Sequence, residues 1–182
     1  MITISGYQIK EQLYESNHSL VFRGKRESDK TAVILKMLKS DYPSPDEVAR
    51  FRREYEMTRK LAGDGVISVY GLESHNNTLV MVLEDFGGDS ITRLLFTGRE
   101  ISFPDASQPE GDEMPLPEGG RFILNTGLSL SHFLQLAIRM TEILGQIHQQ
   151  NIMHKDINPA NIVWNTITDE VKIIDFGIST EL

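Results

Sequence analysis

HKDINPANIVWNTITDEVKIIDFG, residues 154–177, places an Asp, an Asn five residues later and a further Asp before Phe-Gly between short apolar runs. The polar positions are Asp156, Asn161 and Asp175. The runs Asn161–Trp164 and Val171–Ile174 predict two short strands joined by a turn rich in Asn, Thr and Asp. Such a hairpin brings Asn161 and Asp175 to neighbouring strand ends.

One carboxylate that takes or orients a hydroxyl proton, with an amide oxygen and a second carboxylate that hold cations, is the set that phosphoryl transfer requires. The stretch resembles the protein kinases, whose catalytic loop runs H-R-D-L-x-x-x-N and whose metal-binding turn is D-F-G. A lone D-F-G is a weak signal. Both motifs in order, with a strand pair between them, are a strong one.

The composition fits a water-soluble chain. Of 182 residues, 40% are apolar and 24% charged, enough for one domain or two small lobes. With no cysteine, disulfides are excluded and a reducing cytoplasm is compatible. The start MITISGYQIK has no apolar core of signal-peptide length, and the longest apolar run, Leu79–Leu83, is too short to span a bilayer. A net charge of -8 argues against a nucleic-acid or anionic-membrane surface, because phosphate backbones demand a basic face.

Tyr7–Tyr14, Leu20–Arg26 and Thr31–Leu38 read as an antiparallel meander. Ser44-Pro45-Asp46-Glu47 then carries an N-cap, a proline at the first helical position and a glutamate able to close a capping box. Val48, Phe51, Tyr55, Thr58 and Leu61 recur as the stripe of a helix packed on a sheet, with Glu54 at its edge, and 62–65 end that helix. Val66–Leu72 and Thr78–Leu83 follow as two more strands. Glu84–Gly88 reads as a hinge, and Ile91–Phe96 as a short helix. Between 97 and 128 the text is Pro-rich, acidic and without period, as in FPDASQPEGDEMPLPEGGRF, and predicts a mobile insertion. Leu130, Phe133, Leu134, Ala137, Thr141, Leu144 and Ile147 then share one face of a long helix. His154 is expected to hold the following loop by hydrogen bonding.

This order is similar to the protein-kinase fold from its first strand to just beyond D-F-G. The resemblance implies an α+β, bilobal architecture: a five-stranded antiparallel N-lobe with one helix over 1–83, a hinge and short helix over 84–96, the insertion, and part of a mostly helical C-lobe over 129–182. The wording Val33-Ile34-Leu35-Lys36 is similar to the family's V-A-I-K. It implies that Lys36 reaches the α- and β-phosphates of ATP and that Glu54, in RREYEM, pairs with it. Asp156 would be the catalytic base, and Asn161 and Asp175 the Mg²⁺ ligands. Lys36, Glu54, Asp156 and Asn161 form the implied catalytic set. Glu84, Asp85 and Phe86 would offer backbone groups to adenine, with Val21 above the ring and Leu83 behind it. The acceptor would be a protein hydroxyl.

Three substitutions depart from the pattern. The glycine-rich loop G-x-G-x-x-G-x-V appears as Tyr14-Glu15-Ser16-Asn17-His18-Ser19-Leu20-Val21, where the small residues Ser16 and Ser19 still permit a hairpin touching phosphate. Lys155 replaces the Arg of H-R-D and is a point charge without bidentate geometry. Asn158 stands where Ser/Thr kinases carry a lysine, so a cation near the γ-phosphate is missing. Ala160 removes the arginine of the tyrosine kinases.

After Gly177 only Ile178–Leu182 remain, without the family's activation segment, so the sequence reads as a fragment of a longer chain or a truncated product that exposes apolar surface. YQIKEQLYESNHSLVFRG and HKDINP resemble the N-terminal kinase domain of large signalling proteins that continue into an ATPase module and a sensor histidine kinase. Two alternatives stay open beside a Ser/Thr kinase: a pseudokinase that regulates attached domains, and a small-molecule phosphotransferase.

Overall fold

The computed structural model describes residues 3–61, 63–96 and 130–182. Strands β1 (Tyr7–Glu15), β2 (Ser19–Arg26), β3 (Ala32–Leu38), β4 (Val69–His75) and β5 (Thr78–Glu84) build one antiparallel sheet in the order β1-β2-β3-β5-β4. β5 lies inside this sheet, and its apolar run is unbroken because both faces are covered. Val80 and Val82 join Phe22, Val33 and Leu35 in one core, while Leu79, Met81 and Leu83 join Phe51 in another.

The second core is roofed by helix α1 (Pro45–Lys60), which opens as expected. The Ser44 hydroxyl accepts from the Glu47 amide and the Glu47 carboxylate accepts from the Ser44 amide, a capping box worth about 1 kcal/mol. Phe51, Glu54, Met57 and Thr58 are the buried positions, with Val48 and Tyr55 half-covered. Glu54 is thus inside the packed face and not on its edge.

β4 begins three residues later than the sequence suggests. The preceding segment turns aside to pair with the other half of the molecule: the Ile173 amide donates to Gly65 O at 2.9 Å, and Val66 forms a parallel bridge with Ile173.

After β5 come β6 (Asp89–Ser90), α2 (Ile91–Phe96), α3 (Leu130–Gln149), β7 (Ile152–Met153), β8 (Ile162–Asn165), β9 (Glu170–Ile173) and β10 (Thr180–Glu181). β6-β8-β9 form a small sheet and β7 pairs with β10. The expected hairpin is β8–β9. Its turn is closed by Asn165 Oδ1, which accepts from the amides of Ile167 and Thr168, and by Trp164 Nε1 donating to Asp169. Trp164, Ile173 and Phe176, all fully buried, pack with Ile143 and Ile147 of α3.

The buried face of α3 departs from the expected stripe. Leu136, Ile143 and Ile147 are buried and Met140 packs beside them, whereas Leu130, Phe133 and Leu134 are 72%, 55% and 50% exposed. The expected stripe is kept at its C-terminal end, where Ile147 is fully buried and Leu144 packs beside the core, while Leu136, Met140 and Ile143 of the neighbouring stripe replace its N-terminal members. The insertion expected at 97–128 lies outside the described residues. Among the described residues, no helix is long and apolar enough to cross a membrane.

Candidate functional site: where sheet, helix and hairpin meet

The register of β3 sets Lys36 opposite Val21 on β2 and Met81 on β5. Its ammonium donates to Glu54 Oε1 at 2.5 Å and to Asp175 Oδ2 at 3.1 Å, joining strand, helix and hairpin in one contact. Burial works against a charged lysine here, but the carboxylates of Glu54 and Asp175 outweigh it and hold Lys36 above the usual lysine range. Burial likewise pushes Asp175 up. The Lys36 ammonium, with the Gly177 amide, more than offsets this and keeps the carboxylate below its usual range, hence ionised. Asp175 also sits at φ 65°, in the left-handed region, a strain of about 1 kcal/mol fixed by its bond from the Gly177 amide.

The loop from His154 to Asn161 is built on hydrogen bonds from its own side chains. His154 is 1% exposed and stacks edge-on against Phe176, with ring centroids 4.6 Å apart. Its Nδ1 accepts from the Asp156 amide, so Nε2 carries the proton and donates to Ile174 O at 3.0 Å. Burial lowers its pKa, which keeps this neutral form. His154 therefore ties Asp156 to the segment that leads from β9 to Asp175, and holds the loop by hydrogen bonding as the sequence predicts. Asn161 Nδ2 donates to Asp156 Oδ2 and to Asp156 O, both at 2.9 Å. Its backbone carbonyl accepts from the Ile174 amide at 3.0 Å, so Asn161 and Asp175 stand at adjoining strand ends.

With its amide nitrogen spent on Asp156, Asn161 turns Oδ1 the other way. Asn161 Oδ1 and the Asp175 carboxylate are hard oxygen donors that fit Mg²⁺, which takes few protein ligands and completes its shell from phosphates and water.

At the hinge, Leu83 is buried at the end of β5. The Glu84 carboxylate accepts from the Ser68 amide at 2.7 Å and from Lys172 of β9 at 2.5 Å. Lys172, 5% exposed, also stands 5.3 Å from the Phe86 ring centroid. Asp85 pairs with Arg23 of β2 at 3.0 Å, and Phe86 O accepts from Asn165 Nδ2 at 2.6 Å. Arg23 donates further to Gly88 O and to Glu11, which in turn takes Arg93 of α2. Lys172, Arg23, Arg93 and Asn165 were not singled out in the sequence. Their partners Glu84, Asp85, Glu11 and Phe86, in that order, each lie more than 60 residues away, and nothing local announces that.

Ser16 and Ser19 face each other across the β1–β2 turn, hydroxyls 3.0 Å apart. Ser16 Oγ accepts from the amides of His18 and Ser19, so these groups satisfy one another within the turn. Lys36, Glu54 and Asp175 form one contact and Asp156 with Asn161 another, linked through Ile174, whose amide donates to Asn161 O; Ser16 and Ser19 make their bonds outside both.

A sequence model of the protein kinase domain matches residues 7–182. A probable serine/threonine-protein kinase of Clostridium acetobutylicum is 22% identical over 176 residues, 95% of this chain and 22% of the relative. Serine/threonine-protein kinase nekl-2 of Caenorhabditis elegans is 28% identical over 160 residues, 88% of this chain and 40% of its own length. Tyrosine-protein kinase MasK of Myxococcus xanthus is 29% identical over 152 residues, 83% of this chain and 21% of its own. The chain spans well under half the length of each of these relatives. A match running from β1 to the last described residue, over a site where lysine, helix glutamate and hairpin aspartate meet, makes this chain a member of the protein kinase domain family.

Proposed function

We propose that this chain carries the nucleotide-binding part of a protein kinase that transfers the γ-phosphate of ATP to serine or threonine hydroxyls. The observation that carries the reading is the Lys36–Glu54–Asp175 contact, because it holds a cation and an ionised carboxylate together where sheet, helix and hairpin meet. Lys36 would grip the α- and β-phosphates, with Glu54 positioning it. Asp156 would take the proton of the acceptor hydroxyl as its oxygen bonds to the γ-phosphorus and the bond to the β-phosphate breaks. Asn161 and Asp175 would hold Mg²⁺, which supplies charge neutralisation on the phosphates when bound. Val21 and Leu83 would enclose the adenine, against the backbone of Glu84, Asp85 and Phe86, with Ser16 and Ser19 near the phosphates.

Acceptor choice is supported by the names of the relatives from Clostridium and Caenorhabditis and by Ala160, which lacks the arginine of tyrosine kinases. A cytoplasmic location, where ATP is plentiful, and fusion to further signalling domains belong to the same proposal. The greater length of the relatives supports the fusion.

The test is phosphate transfer by the full-length protein with Asp156→Asn, followed by phosphoamino-acid analysis. Transfer should fall by about 100-fold or more with ATP affinity kept; equal activity of the variant would sink the assignment. The alternative, which the match to named serine/threonine kinases does not favour, is a pseudokinase that binds nucleotide weakly and acts through the geometry of its lobes. Metal-dependent ATP binding without transfer to any protein would select it.

A further inference from the structure

We infer that Asn158 is a positioning residue for phosphate transfer: its side-chain amide holds one oxygen of the Asp156 carboxylate while Asn161 holds the other. This role rests on the proposed kinase activity.

Asn158 Nδ2 donates to Asp156 Oδ1 at 3.1 Å and to Asp156 O at 3.3 Å. Its Oδ1 accepts from the Ala160 amide at 2.9 Å. These bonds settle which end of the planar amide faces the aspartate. Reversed, the group would set its oxygen against a carboxylate oxygen and its NH₂ against a backbone N–H, two repulsions in place of two bonds. The backbone on both sides is restrained. Pro159 biases Asn158 toward an extended conformation, and Pro159 O accepts from the Thr92 amide at 3.1 Å, pinning the loop to the start of α2.

The second donor is coupled to the first. The Asn161 amide donates to Asn158 O at 3.0 Å, so the two asparagines form one rigid unit whose side chains reach Asp156 Oδ1 and Oδ2 separately. A carboxylate held at both oxygens cannot turn about its terminal bond without breaking a contact. Each oxygen still keeps lone-pair capacity for an acceptor hydroxyl. The side chain that leaves the site one cation short therefore orients its base with a neutral hydrogen bond.

Three variants of the full-length protein separate this role from a merely structural one. Asn158→Asp keeps an acceptor for the Ala160 amide but turns a carboxylate toward Asp156. Asn158→Ser keeps a short acceptor for the turn and lacks the reach to donate to the carboxylate. Asn158→Ala loses both bonds. Positioning requires kcat to fall in all three, by about 10–100-fold and most in Asn158→Asp, while KM for ATP stays within about twofold. Thermal unfolding of each variant checks that the domain remains folded. If only the turn matters, Asn158→Asp and Asn158→Ser will match the parent and Asn158→Ala alone will lose activity or stability, which overturns the inference. A parent protein that transfers no phosphate overturns the kinase reading itself, and this role with it.

Discussion

Ile143 of α3 covers Gly65: a Cβ placed on residue 65 would lie 2.1 Å from Ile143 Cγ1. The contact joins the loop before β4 to the long helix of the other lobe, and Gly65 O is held there by the Ile173 amide. Gly65→Ala should therefore destabilise the protein by about 1–3 kcal/mol through overpacking. Urea unfolding checks this.

Lys36→Met should abolish phosphate transfer and also destabilise the fold at neutral pH, because it strands Glu54, 8% exposed, without its cation. The expected cost is about 3–5 kcal/mol. Lys36→Met/Glu54→Leu should restore stability but not transfer. A denaturation cycle over the single and double variants measures the coupling.

His154 makes stability depend on pH. Burial depresses its folded pKa, so the unfolded chain takes up a proton first as pH falls. Its contribution is fully present above the unfolded value, about 6.5, and is lost as pH falls from there through the folded pKa. Denaturation midpoints should decline on acidification in that range. In His154→Gln the decline should be shallower.

Lys172→Met should loosen the hinge. It removes the charged donor to Glu84 at 2.5 Å and the contact with Phe86. A loss of about 1–3 kcal/mol is expected. Hydrogen exchange of the backbone amides at 84–88 should rise more than that at β2.

Much of this fold could be read in the sequence because its signals are local. Ser44 and Glu47 announce α1 by capping chemistry that spans three residues, and the alternation of β2 and β3 sets the register of Lys36. The face of α3 could not be read that way. Leu130, Phe133 and Leu134 repeat as regularly as Leu136, Met140 and Ile143, and only the hairpin distinguishes them. β4 was expected too early because Val66 pairs with Ile173, more than 100 residues on, and apolar character does not name a partner. At the site, Asp156, Asn161 and Asp175 stand out by spacing. Lys172 does not, since a lysine in a strand usually faces water, and this one is buried by Glu84 from another sheet.

Ile173 acts as a shared fulcrum. Its amide and carbonyl hold the segment that leads into β4, and two residues further along the same chain Asp175 meets Lys36. Tilting the five-stranded sheet against the hairpin therefore levers the carboxylate that would receive the cation. The joint between the two halves and the meeting point of Lys36 with Asp175 thus lie two residues apart, so a displacement at one would be felt at the other.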